Sequence, residues 1–222
     1  MSKNEQILGF VYLLFEILVL PSLLYYLNSL LPTPLSDGRL NFLYFSLNFI
    51  AVCFLFRSFI QRSFTRIKTD FGTFLLITVG GFGVYYVTNL LMNMLINLVV
   101  PNFANLNDHS IVQLIGNDQI SMIIGTILLA PVAEELLHRG LVFGTLRPKS
   151  LWAAYLVSTI LFSIVHIMGY IGVYSLPHLL VAFMQYLPAG LILAWTYHKS
   201  GNIFSPILIH IAVNTSAILT LR

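Results

Sequence analysis

Residues 120–145 read ISMIIGTILLAPVAEELLHRGLVFGT, and the rest of the chain is read outward from this stretch. It is long and apolar enough to cross a bilayer, which takes about 20 such residues. It nevertheless carries Glu134, Glu135, His138 and Arg139. A charged side chain at mid-bilayer costs about 2.5–3.5 kcal/mol on insertion scales, so such groups are kept where they pair or do work. Glu135 and Arg139 are four residues apart, the spacing of a helical salt bridge. Glu134 and His138 have the same spacing on a face turned by about 100°. One carboxylate can then be neutralised by Arg139 while the other points elsewhere. Pro131 removes a backbone donor just before them and can kink the helix, opening space at this level.

The composition agrees with a membrane reading. Hydrophobic residues make up 58% of the 222 and charged residues only 9%, against roughly 25% charged in soluble domains. Apolar blocks lie at about 7–31, 40–57, 71–100, 120–145, 151–168, 177–198 and 203–221. The first is too long for a signal segment and no small-residue cleavage site follows it, so it reads as a retained span. The expectation is an all-α polytopic transmembrane bundle of about seven spans, within a range of six to eight, forming one integrated membrane domain. A net charge of +3, with basic residues scattered among apolar runs, excludes a nucleic-acid partner. The single cysteine, Cys53, excludes an intrachain disulfide framework and a cysteine-based zinc site.

Loop charges suggest an orientation. With the N-terminus inside, the inner segments hold Lys3, Arg57, Arg62, Arg66, Lys68, Arg147, Lys149 and Lys199, which is 8 of the 11 basic residues. The outer segments hold Arg39 and Arg222, and the outer loop near 101–119 has Asp108 and Asp118 but no basic residue. This bias predicts an N-in, C-out chain by the positive-inside rule.

Two further spans carry polar groups at helical spacing. The fifth block contains Phe162 and His166, and the seventh contains His210 and Asn214 on one helix face. Counting about 1.5 Å per residue from each block's inner end puts Glu134 at roughly 16 Å, His166 at roughly 22 Å and His210 at roughly 10 Å. Helix tilt can close those differences, so a carboxylate, two imidazoles and an amide are expected to meet inside the bundle.

At this point the chain resembles a known family. Glu134-Glu135-x-x-x-Arg139, Phe162-x-x-x-His166 and His210-x-x-x-Asn214 look like the three motifs of the CPBP intramembrane proteases. That group holds the CAAX prenyl endopeptidases and the bacteriocin-processing or immunity (Abi) proteins, and carries a metalloprotease label. The resemblance covers about residues 120–216, and Gly201 to Pro206 also resembles the family. It divides the chain into N-terminal helices without motifs, 1–119, and a catalytic core, 120–222. His138 departs from the family pattern, where an apolar or aromatic residue is more usual.

The resemblance implies peptide-bond hydrolysis without a covalent enzyme intermediate. Glu134 would be the general base on a water that His166 helps to hold. His210 and Asn214 would donate to the oxyanion, with Glu135, Arg139, His138 and Phe162 in support. Ser205 and Pro206 look like an N-cap and first helical residue, which would set His210, as a neutral imidazole, near a helix start. There is no His-Glu-x-x-His signature. A zinc site of Glu134, His166 and His210 stays open beside metal-free activation, and the likeness to a glutamate-dependent type favours no cofactor. The expected partners are the lipid bilayer and a peptide or protein substrate in the membrane, such as a bacterial peptide precursor, leader or pheromone. The competing readings are a non-catalytic immunity or scaffold protein, and a proton-coupled transporter, since buried Glu, His and Arg also mark proton relays.

Other polar residues carry less. Asn89, Asn93 and Asn97 form a stripe read first as an interhelical seam, and second as a lining for water access. Gln185 is read evenly as seam or substrate contact. Gly80, Gly81 and Gly83 are read as permitting close helix packing. His109 and His198 are expected in or beside loops.

Overall fold

A computed structural model describes residues 1–103 and 105–220, apart from the side chains of 108, 109, 112, 116 and 117. The readings of Asp108, His109 and Arg222 lie outside the described residues. The chain is an all-α polytopic bundle. Its helices are α1 Lys3–Leu18, α2 Leu20–Ser29, α3 Asp37–Leu55, α4 Arg57–Thr69, α5 Phe71–Val99 and α6 Leu106–Ile124, followed by α7 Ala130–Glu135, α8 Gly144–Leu146, α9 Leu151–Met168, α10 Leu176–Ser200 and α11 Phe204–Thr220. Two π-helical segments, Gly125–Leu129 and Leu136–Phe143, join α6, α7 and α8.

Among the described residues five helices are long and apolar enough to cross a membrane. They are α3, α5, Asp118–Leu146, α9 and α10. The first block appears as α1 and α2, bent by 49° at Val19, and counts as one further broken span. The bend has a local cause, because Pro21 cannot donate into the preceding turn and so starts a new helix. The seventh block is the apolar α11, whose 17 residues reach only about 26 Å at 1.5 Å per residue. Every apolar block is therefore helical, with five or six spans by length and α11 as a shorter inner helix.

Two connectors differ from a plain loop. The basic segment after α3 is the amphipathic helix α4, with Arg66 and Lys68 in its last turn where they complement the helix dipole. The segment read as an outer loop, 101–119, is helical from Leu106 and breaks only at Asp118, whose φ of −133° leaves the helical region.

The packing gathers the charged connectors at two opposite ends. At one end Arg62 pairs with Glu5 at 3.3 Å, Arg66 donates to the Gly201 carbonyl, and Asn202 donates to the Ser63 carbonyl. A cleft lined by Arg66, Arg147 and Lys199 lies there as well. At the other end Asp118 accepts from Ser36 and pairs with Arg39. Two of the close helix crossings rest on Gly81 and Gly190. A Cβ on Gly81 would run into Thr196, where α5 crosses α10, and one on Gly190 would meet Thr159 at 2.9 Å, where α10 crosses α9. Gly80 and Gly83 face open space and play no part in this packing.

The basic end should face the cytoplasm. In a Cys53→Ser background, Thr33→Cys should react with an impermeant maleimide on intact cells. Lys149→Cys should react only after permeabilisation. Labelling of position 149 in intact cells would overturn this orientation.

Candidate active site

The span Asp118–Leu146 is wound to present its polar residues. In the first π segment Ala130 N–H donates to the Gly125 carbonyl, five residues back. The next bond in that register would run from residue 131 to Thr126, but Pro131 has no N–H. Asn214 Nδ2 on α11 donates to the Thr126 carbonyl instead, at 2.8 Å. Pro131 thus opens a backbone acceptor that a neighbouring helix fills. Asn214 was expected as an oxyanion donor, and one of its two amide hydrogens is committed to this bond.

Glu135 and Arg139 form the expected pair, at 3.1 Å with both side chains 0% exposed. The same Glu135 oxygen accepts from His210 Nδ1 at 2.9 Å, and Arg139 Nη2 donates to the Gly190 carbonyl. The Arg139 guanidinium also lies 4.3 Å from the centre of the Phe162 ring, a cation–π contact. Phe162 touches the rings of His138, His166 and His210 in turn. It is the apolar post on which the four cationic or imidazole side chains lean.

Glu134 points away from this pair. Its Oε2 is buried and takes no hydrogen bond from the described residues. It faces His166 Nε2 at 3.7 Å and His210 Nε2 at 3.9 Å. His166 Nδ1 lies 2.8 Å from the Phe162 carbonyl, which fixes the proton on Nδ1 and leaves a lone pair on Nε2. His138 bonds the Glu134 main-chain carbonyl rather than its carboxylate, at 2.9 Å. It lines the same cavity. The three motifs therefore meet, as their spacing in separate spans implied.

The α11 start differs from the expected cap. Asn202 Oδ1 accepts from Phe204 N–H, whereas Ser205 is fully buried and its hydroxyl bonds Thr78. A buried hydroxyl is satisfied across the helix interface here instead of by its own helix. His210 then lies in the second turn, where the dipole has faded, and Glu135 sets its tautomer.

The site opens into a cavity of about 1030 Å³ lined by Glu134, His166, His210 and Asn214. Asn89, Asn93 and Asn97 line it too, which favours water access over a closed seam. Gln185 donates to Asn93 and accepts from Asn105 on the same wall. Tyr186, stacked 4.4 Å from His166, and Glu16, on α1, were missed. Glu16 had a signal: a lone acid inside an apolar block. His198 lies in the last turn of α10, beside the connection to α11, and is bonded to Tyr155. Among the described residues no three His, Cys, Asp or Glu side chains group as a metal ion requires.

Residues 116–216 match the family of type II CAAX prenyl endopeptidase Rce1-like proteins. Over that stretch the chain is similar to the Rce1-like proteins. The Rce1-like region holds all three motifs. The chain is also similar to the UPF0177 protein YxdF of Lactococcus lactis, 34% identical over 39% of this chain and 42% of the relative. The "Putative membrane peptidase YdiL" of Bacillus subtilis is 32% identical over 44% of this chain and 36% of its own length. UPF0177 protein YbdI of Lactococcus lactis is 27% identical over 42% and 45%. The chain thus spans less than half the length of these relatives. No solved structure matches.

Breaking the buried pair should unfold the bundle. Arg139→Leu should cost about 3–5 kcal/mol by leaving Glu135 uncompensated, read as a lower thermal midpoint in detergent. Gly190→Val should also lower it, by driving a side chain into Thr159. An unchanged midpoint for Arg139→Leu would remove Glu135–Arg139 from its structural role.

Proposed function

We propose that this integral membrane protein is an endopeptidase that hydrolyses a peptide bond within the bilayer. The observation that carries the reading is the convergence of Glu134 Oε2 with the Nε2 atoms of His166 and His210 on one polar cavity. Similarity to the Rce1-like family and to a relative named as a membrane peptidase supports it.

A water between Glu134 and His166 can donate one hydrogen to each. As its oxygen attacks the scissile carbonyl carbon, Glu134 takes the proton. His210 gives its Nδ1 proton to Glu135, so donation to the oxyanion from Nε2 needs the doubly protonated ring. Glu135 supplies the counter-charge for that imidazolium. The free amide hydrogen of Asn214 is the second donor. When the C–N bond breaks, the proton on Glu134 passes to the leaving amine. Every step runs on side chains and water.

The substrate is a small membrane-associated peptide or precursor, and the setting is the bacterial cell membrane, a reading supported by the bacterial sources of the similar proteins. The cellular role is peptide maturation or self-protection of a bacteriocin producer.

Purified protein in detergent should cleave quenched-fluorescence membrane peptides, and Glu134→Gln should abolish cleavage while keeping the wild-type thermal midpoint. Wild-type turnover should survive exhaustive chelation with no stoichiometric metal by mass spectrometry. Near-normal turnover by Glu134→Gln would exclude it as the base. Loss on chelation with recovery on adding zinc would replace the metal-free reading.

A further inference from the structure

The cavity wall opposite the motif helices carries chemistry that the hydrolytic step does not use. Tyr12 and Glu16 are four apart on α1, and Tyr44 and Asn48 are four apart on α3. Tyr12 donates to Asn48, and Tyr44 donates to Glu16. Glu16, Tyr44 and Asn48 all line the same cavity as Glu134.

The charge balance of this cavity is uneven. Glu16 is 8% exposed, and among the described residues no Lys, Arg or His pairs with it. No described Lys or Arg lines the cavity. Arg139 is committed to Glu135 and the Gly190 carbonyl. Tyr44 has one O–H and gives it to Glu16, so its oxygen offers only lone pairs. A carboxylate kept at this depth is retained where it meets a counter-charge or does work.

We propose that Glu16, braced by Tyr44, is the subsite that receives a cationic group of the substrate, a lysine or arginine side chain of the peptide. On this wall a substrate carboxylate would meet only the Glu16 carboxylate and the lone pairs of Tyr44, so the group received there is a cation. The assignment deepens the endopeptidase reading and rests on it for the identity of the ligand as a peptide. Lys and Arg can thread their apolar stems along the wall and place the charge at the polar level.

Binding to the full-length Glu134→Gln protein in detergent tests this without turnover. The probes are fluorescein-labelled short apolar peptides, each with one Lys or its uncharged counterpart norleucine stepped through every position. Anisotropy should give a Lys preference of about tenfold at one position, as a charge-assisted contact provides. The Lys-to-norleucine ratio should fall to about one in Glu16→Gln/Glu134→Gln. It should survive in Glu16→Asp/Glu134→Gln and shrink with added salt. A merely structural clamp between α1 and α3 would change thermal stability and leave the ratio alone. No Lys preference at any position, or one unchanged by Glu16→Gln, would overturn the proposal. If Glu16→Gln does not fold, a preference that added salt leaves unchanged does the same. Failure of wild-type cleavage would instead sink the endopeptidase reading while leaving this ratio to be read.

Discussion

A single buried oxygen, Glu135 Oε1, organises the centre of the bundle. It accepts from Arg139 and from His210, so it ties the motif span to α11. Arg139 carries the same connection onward to α10 through the Gly190 carbonyl. A carboxylate in a low-dielectric interior is tolerated only when donors surround it. Satisfying Glu135 therefore dictates where three helices stand, and the orientation of His210 follows from it.

The same logic explains the irregular winding of the span. Regular α-helix would leave Pro131 clashing and its acceptor unmet. The π segments move the mismatch to Thr126, where Asn214 reaches it. Ser158 likewise donates to the His138 carbonyl within the second π segment. In a bilayer no water is at hand for orphaned backbone groups, so helices must supply side chains to one another. Those bonds hold Glu134 and the imidazoles in place, and Phe162 fills the space between them.

The N-terminal helices are more than a membrane anchor. α3 packs along the motif span while α1 packs on α3, and together they close the cavity's far side with Glu16, Tyr44 and Asn48. The region without family motifs thus closes the cavity onto which Glu134 opens, while the family-like region carries Glu134, His166 and His210. The narrow crossings at Gly81 and Gly190 bring α5, α9 and α10 close enough for His166 and Gln185 to line one chamber.

The sequence by itself determined the helical membrane class, because 58% hydrophobic residues in blocks admit few other folds. It also determined the Glu135–Arg139 pair, since residues four apart on a helix meet whatever surrounds them. The motif order placed Glu134, His166 and His210 in separate spans that had to face inward. Tertiary structure alone decided the rest. It gave Glu135 to His210, moved the α11 cap from Ser205 to Asn202, turned Asn214 to the Thr126 carbonyl and put the asparagine stripe on the cavity. It also separated Gly81, at a crossing, from Gly80 and Gly83 in open space. Each of these depends on which partner a neighbouring helix presents. A buried polar group is satisfied by the nearest donor or acceptor in space, and local periodicity does not encode that proximity.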